Sequence, residues 1–271
     1  MITFTCVRRM SAAVAIAVTV VSVSVLAQTP TGPIAKTADG KPNLTGIWQA
    51  MNSANWDLQA HEAKAGPVVS LAAAFSVPPG AGVVEGNEIP YLPEALKKKE
   101  ANGANWMALD PEVKCYMPGI PRATYQPFPF QIVQSANTVV MSYEFASASR
   151  IVRMGTKEQS PAPAWMGWNV GRWEGDTLVV DVTDQMEDTW FDRAGNFHSD
   201  ALHVVERYTP VDSNTLKSEA TIEDAKTCSR PWKISMPLDR RREPNAQLME
   251  YKCVPFAEEL MYGYLRKKPR R

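Results

Sequence analysis

The amino-acid sequence predicts a mainly β protein whose antiparallel meander closes into a barrel or sandwich, lipocalin-like in general shape. From Phe130 onward, apolar and polar residues alternate with a period of two, as in strands that bury one face. Short polar turns separate these β-rich runs into successive pairs. The N-terminal half lacks this pattern, so we expect it to be long and irregular, with one short helix.

Residues 1–27 are predicted to be a cleavable signal peptide. Arg8 and Arg9 precede an uncharged run from Ser11 to Leu26, and Ala27 supplies the small residue of a cleavage site. A retained membrane anchor is the alternative, but the run is shorter than the roughly 20 residues of a spanning helix. We expect a periplasmic or secreted protein with no integral membrane span after cleavage. The arginine pair leaves the Sec and twin-arginine routes both open.

Two regions follow the leader in the predicted organisation. Residues 28–41 are rich in Thr, Pro and Gly and are typical of an extended arm, and residues 42–271 form a single β-rich domain. A helix is predicted to begin at Pro93, because proline in the first turn is followed by strong helix formers. Prolines and a glycine within 115–129 indicate a stiff loop.

The strands are predicted as four hairpin pairs. These pairs are 130–135 with 138–144, 168–173 with 177–183, 202–209 with 215–222, and 232–238 with 247–253. Consecutive hairpins indicate an antiparallel meander. Runs at 44–49 and 149–154 bring the total to about ten strands, enough to close a barrel or to form two packed sheets.

The pair 202–209 with 215–222 has the clearest faces. Leu202, Val204, Glu206 and Tyr208 share one face of the first strand, and the apolar members require that face to point inward. A buried carboxylate without a partner costs several kcal/mol, so we expect a cation or hydrogen-bond donors beside Glu206. The candidate partners are a tyrosine hydroxyl and the guanidinium groups of Arg122, Arg150 and Arg172. Whether Glu206 serves structure or catalysis is left open.

His198 and Asp192 lie in the loop 192–200, at the predicted rim of the sheet, where catalytic groups often gather. A histidine exchanges protons near neutral pH, so His198, Asp192 and Glu206 form a candidate acid–base set for a cofactor-free hydrolase, lyase or isomerase. A metal triad of His198, His203 and Glu206 is disfavoured, because His203 and Glu206 stand three apart on a strand and face opposite sides. We predict no metal site.

Aromatic residues and arginines supply a second candidate site. Burial preferences favour core and rim packing as the explanation of the aromatic clusters, but an aromatic-lined cavity would bind a small, partly apolar molecule. The candidate ligand-binding residues are Trp168, Trp173, Trp190, Phe191, Tyr208, Arg122 and Arg172. Binding of such a molecule in the barrel or sandwich is the leading functional hypothesis, and the acid–base enzyme is the alternative.

The charge balance argues against a nucleic-acid partner, because 29 Lys and Arg residues offset 29 Asp and Glu residues. No glycine-rich phosphate motif occurs, so no nucleotide cofactor, and no cofactor of another kind, is predicted. One segment is strongly basic, and it is either a solvated terminus or a weak contact with an anionic surface. It consists of Arg266, Lys267, Lys268, Arg270 and Arg271.

Cys115, Cys228 and Cys253 remain after Cys6 leaves with the leader, and the spacing does not determine which two would pair. The segments GKPNLTGIWQ, CYMPGIPR, GRWEGDTLVVDV and NFHSDALHVVERYTP, together with most of the chain after the leader, resemble an uncharacterised family of exported bacterial proteins. That resemblance implies export and a bridge between Cys115 and Cys253, with Cys228 free. It implies no activity and no catalytic residue.

Overall fold

Nine strands form a closed barrel within residues 32–265, the part of the chain that the computed structural model describes. The strands are β1 Gly46–Gln49, β2 Phe130–Gln134, β3 Thr138–Tyr143, β4 Ser149–Met154, β5 Trp168–Glu174, β6 Thr177–Thr183, β7 His203–Pro210, β8 Thr215–Glu223 and β9 Trp232–Arg240. Each strand pairs with the next along the chain, and β9 pairs with β1. The predicted mainly β class is therefore confirmed, and the barrel is the form it takes. The predicted leader and the basic segment 266–271 lie outside the described residues.

The helices are short and belong to the connections. The predicted helix is present as α1 Pro93–Ala104, with its proline in the first turn. Two further helices, α2 Trp106–Leu109 and α3 Ala257–Tyr262, were not predicted. Residues 61–90 lack strands and long helices, as expected from their composition.

Arg240 holds the seam at which the barrel closes. Trp48 of β1 is opposite Arg240 of β9 in the antiparallel pairing, and the guanidinium lies 4.1 Å from the indole ring centre. Its Nη1 also donates to the Thr45 carbonyl oxygen at 2.8 Å. A Cβ on Gly46 would stand only 2.0 Å from that nitrogen, so a side chain here would displace the arginine. The seam thus combines backbone pairing between β1 and β9 with the contacts of Arg240.

Two predictions about the sheet are wrong. Residues 247–253 do not form a strand, and β9 pairs instead with β8 along its length and with β1 at Asp239 and Arg240. The meander is also not antiparallel throughout, since β4 and β5 run parallel, with Val152 opposite Asn169. A parallel pair needs a crossover, and here the segment 155–167 carries the chain back to the start of β5.

Large side chains fill much of the barrel interior. Trp48, Tyr125, Phe130, Tyr208 and Leu216 are all at most 1 % exposed. Barrels of about this strand number have an interior that side chains can occupy completely. A ligand would therefore fit more readily in the wall of the barrel or at its ends than along its axis.

The C-terminal segment is fastened by the disulfide between Cys115 and Cys253, whose Cα atoms are 5.7 Å apart. The pairing that the family resemblance implied is confirmed, and Cys228 is free and buried. An intramolecular disulfide fits an oxidising compartment. Within residues 32–265, no helix has the length and apolarity that a membrane crossing needs.

Candidate functional site

A cleft of about 640 Å³ opens in the barrel wall beside β4 and β5. The two strands pair only from Val152 and Asn169 onward. On the edge of β4 away from β3, the first half of the strand therefore lies beside the crossover segment. We call this opening the β4–β5 cleft. It is lined by Met117, Ser149, Arg150, Ile151, Arg153, residues 160–169 and Met186. Its volume is in the range of sites for small molecules.

Arg150 joins the cleft to the interior of the barrel. It is 3 % exposed, and its Nη1 donates to Glu206 Oε2 at 2.5 Å and to Asn169 Oδ1 at 2.9 Å. Its Nη2 donates to the Tyr208 hydroxyl at 3.0 Å, and that hydroxyl donates to Glu206 Oε1 at 2.9 Å. Burial alone would lower the pKa of Arg150, but the Glu206 carboxylate outweighs it and holds that pKa well above its ordinary value. The predicted inward face of β7 and the predicted arginine and tyrosine partners of Glu206 are therefore present.

Asn169 fixes the crossover segment to this network. Its Nδ2 donates to the carbonyl oxygens of Met166 and Gly167, both at 2.9 Å, while its Oδ1 accepts from Arg150. Each end of the amide thus has a partner, which also settles its orientation. The wall of the cleft is consequently held in register with the arginine at its floor.

The mouth of the cleft is formed by a cation stacked on an indole. The guanidinium of Arg153 lies 3.9 Å from the ring centre of Trp168. The Trp168 Nε1 donates to the Glu158 carbonyl oxygen at 3.1 Å, which orients the ring. Nearby, the rings of Trp165 and Tyr116 lie 4.9 Å apart. The arrangement offers flat aromatic surface together with a positive charge.

His198 is buried and both of its ring nitrogens are engaged. The Ser199 carbonyl oxygen lies 2.8 Å from Nδ1, so Nδ1 donates and Nε2 carries the lone pair. The Thr189 hydroxyl, 2.6 Å away, donates to Nε2. Burial lowers the pKa of His198, against the smaller raising effect of the Ser199 carbonyl. The ring is therefore neutral and fixed within the loop.

Asp192 organises the same loop. Its carboxylate accepts from the backbone N–H of Leu58 at 2.8 Å, and from the backbone and side chain of Asn196 at 3.1 and 2.6 Å. Burial, followed by the repulsion of Asp57, raises the pKa of Asp192 to about 7 despite these donors. Within the described residues, Asp192, His198 and Glu206 hydrogen-bond to none of one another. The acid–base set therefore stays a prediction in which each member already has other partners.

The candidate ligand-binding residues are dispersed. Trp168 lines the β4–β5 cleft, and Tyr208 lies behind it as a partner of Arg150. Arg122 is buried in an ion cluster with Asp110 and Glu112, and Arg172 pairs with carboxylates on the outer surface. The others lie elsewhere: Trp173 is half-buried beneath Lys41, while Trp190 and Phe191 belong to the segment before the His198 loop.

Sequence reasoning missed Arg153 and the methionines of the cleft, and it did not connect them with Trp165 and Trp168. Arg153 and Trp168 are far apart along the chain, and only the parallel pairing of β4 with β5 brings them together. The alternation in 149–154 marked the strand, and Arg150 was named solely as a partner for Glu206. An indole and two arginines on adjacent strands would have been a signal had the pairing been known.

Among the described residues, no group of histidine, cysteine and carboxylate side chains could hold a metal ion. No protein-family model, no curated protein and no solved structure matches the chain. The resemblance to exported bacterial proteins therefore stays a prediction from the sequence motifs.

Proposed function

We propose that this protein binds a small, partly apolar molecule in the β4–β5 cleft. The observation that carries the proposal is the combination of a cleft of about 640 Å³ with indole surface at its mouth and a buried, oriented arginine at its floor. Binding sites of small molecules are mostly apolar and contain a few well-placed polar groups. The cleft has both properties.

The cleft also differs from a gap left by poor packing. Hydrogen bonds from Asn169 hold the crossover segment, and Glu206 with Tyr208 holds Arg150. Groups fixed before a ligand arrives lose less freedom on binding, so they favour affinity. The acid–base alternative has less support, because the side chains of His198 and Asp192 are hydrogen-bonded to Thr189 and Asn196 and stabilise the loop.

Export to the periplasm or the cell exterior belongs to the same proposal. The leader-like residues 1–27 and the bridge between Cys115 and Cys253 both support it. N-terminal sequencing of the protein recovered from the native compartment tests this part. A mature chain beginning at Gln28 supports cleavage, and a chain beginning at Met1 contradicts it.

A thermal-shift screen of residues 28–271 against aromatic compounds, lipids and oligosaccharides tests binding. A ligand at about 100 times its Kd adds roughly 2.7 kcal/mol to the free energy of unfolding, which corresponds to a rise in Tm of about 5–10 °C for a domain of this size. We expect aromatic compounds to produce this rise. Trp168→Ala should reduce it strongly, because the variant removes the ring at the mouth of the cleft.

Trp173→Ala is the matched control, since Trp173 is on the same strand as Trp168 but outside the cleft. It should lower the starting Tm through lost packing and leave the ligand-induced rise unchanged. A screen in which no class of compound raises Tm contradicts the proposal. An equal rise in wild type and Trp168→Ala shows that binding occurs elsewhere and contradicts it too.

A further inference from the structure

The side chains that line the β4–β5 cleft are unbalanced in charge. They include Arg150 and Arg153 and contain no aspartate or glutamate. On the outer surface of the barrel, by contrast, Arg172 and Arg207 are both paired with Glu174. An unmatched charge in a concave site attracts ligands of the opposite sign.

The two arginines contribute differently. The charge of Arg150 is balanced by Glu206 at 2.5 Å, with both side chains at most 2 % exposed. Arg153 forms no ion pair with any carboxylate of the described residues, and its guanidinium rests on the Trp168 ring. The cleft therefore carries one uncompensated positive charge, at its mouth.

Arg150 nevertheless retains one unused donor. Its Nε is buried and has no hydrogen-bond partner among the described residues, whereas both terminal nitrogens are engaged. A buried N–H without an acceptor costs about 1–3 kcal/mol. Because the Arg150 side chain is only 1 % exposed, Arg153 is the group through which the cleft presents its positive charge to a ligand.

We propose that the ligand of the β4–β5 cleft is an aromatic monoanion of the carboxylate class. This inference rests on the proposed binding function and specifies its ligand. The carboxylate pairs with Arg153, whose planar guanidinium matches two oxygens, and the ring lies against the indole surface. A single negative charge suffices because Arg150 is already neutralised, so a dianion would bring a charge with no counterpart.

The test compares an acid with its own amide. Naphthalene-2-carboxylate and naphthalene-2-carboxamide have the same ring and nearly the same shape, and isothermal titration calorimetry measures both Kd values. We expect the wild type to bind the acid about tenfold to hundredfold more tightly, as charge-assisted hydrogen bonds imply. This preference should shrink when sodium chloride is raised from about 0.05 to 0.5 M, because salt screens an exposed charge.

The preference is the ratio of the two Kd values measured on the same variant. Arg153→Gln should abolish it, and Arg153→Lys should keep part of it. Arg207→Gln is the matched control: it removes the same charge from the outer surface, where Arg207 pairs with Glu174. It should keep the full preference. Circular dichroism and Tm establish whether each variant is folded. Arg153 is only half-buried, so its replacement is compatible with folding.

The outcomes separate the two proposals. Equal affinity for acid and amide in the wild type overturns the anion inference and leaves small-molecule binding intact. A preference that survives in Arg153→Gln overturns the assignment to Arg153. Tighter binding of naphthyl phosphate than of the carboxylate overturns the monoanion. If neither naphthyl compound binds at millimolar concentration, the aromatic-anion inference is wrong, while the proposed function stands or falls with the thermal-shift screen.

Discussion

Replacing Glu206 by glutamine removes the negative charge that balances Arg150 and keeps the shape of the side chain. The pair is 2.5 Å apart and its members are 1 % and 2 % exposed, so water cannot take the place of the lost charge. Glutamine offers one acceptor oxygen where the carboxylate served both Arg150 and Tyr208, so one donor is left unpaired as well. Breaking a buried pair in this way costs about 3–5 kcal/mol. This is a large part of the roughly 5–15 kcal/mol by which a protein is stable.

Urea unfolding followed by tryptophan fluorescence measures the loss. Glu174→Gln is the matched control, because Glu174 pairs with Arg172 and Arg207 on the surface at 2.9 and 2.8 Å. It should cost less than about 1 kcal/mol, as exposed ion pairs do. The double variant Arg150→Met with Glu206→Gln should recover much of the loss, since no uncompensated charge remains. A Glu206→Gln protein that unfolds within 1 kcal/mol of the wild type, as the control does, would refute the reasoning.

Three further predictions concern the rest of the framework. Reducing the bridge between Cys115 and Cys253, which are 138 positions apart, should lower the free energy of unfolding by about 4–5 kcal/mol in urea titrations with and without reductant; an unchanged midpoint contradicts this. The folded pKa of Asp192 is raised to about 7, above its ordinary 3.8, so the folded state holds this proton more tightly and the stability it contributes is lost as pH rises from about 4 to 7. Over that range the free energy of unfolding of the wild type should fall by about 4 kcal/mol relative to that of Asp192→Asn, measured by urea unfolding at each pH. Parallel pH profiles of the two proteins would refute the raised pKa. In an exposed helix Gly103→Ala would be stabilising, but here the new Cβ would lie 2.4 Å from the Ala194 carbonyl oxygen. We therefore expect the free energy of unfolding to fall by about 1–3 kcal/mol. A rise in Tm would show that α1 does not pack against Ala194.

Local patterns in the sequence were sufficient to predict most strands. The alternation along β7 identified the buried face, because each inward position except Glu206 is apolar or aromatic. The same alternation implied that Glu206 needs a partner, and Arg150 was among those considered. Periodicity reports which face of a strand is buried, and that information is local.

Pairing between distant segments could not be read in the same way. Residues 247–253 have strand-like composition, but whether a strand forms depends on which partner strand is near, and β9 pairs with β8 and β1 instead. The parallel pairing of β4 with β5 likewise depends on the path of the crossover segment. Since the β4–β5 cleft exists only because of that path, its residues were not recognisable as a group from the sequence.

The seam between β1 and β9 has a consequence for the order in which this chain folds. The hairpins β2–β3, β5–β6 and β7–β8 join residues that are near in sequence, whereas Trp48 must find Arg240 across most of the chain. Long-range pairing is slow because the loop must close before any contact rewards it. Until it forms, β1 and β9 each present a row of unpaired backbone groups that a second molecule can join. We therefore expect slow refolding, and a yield of refolded protein that falls as the protein concentration rises. The first by-product should be dimers linked edge to edge through these two strands.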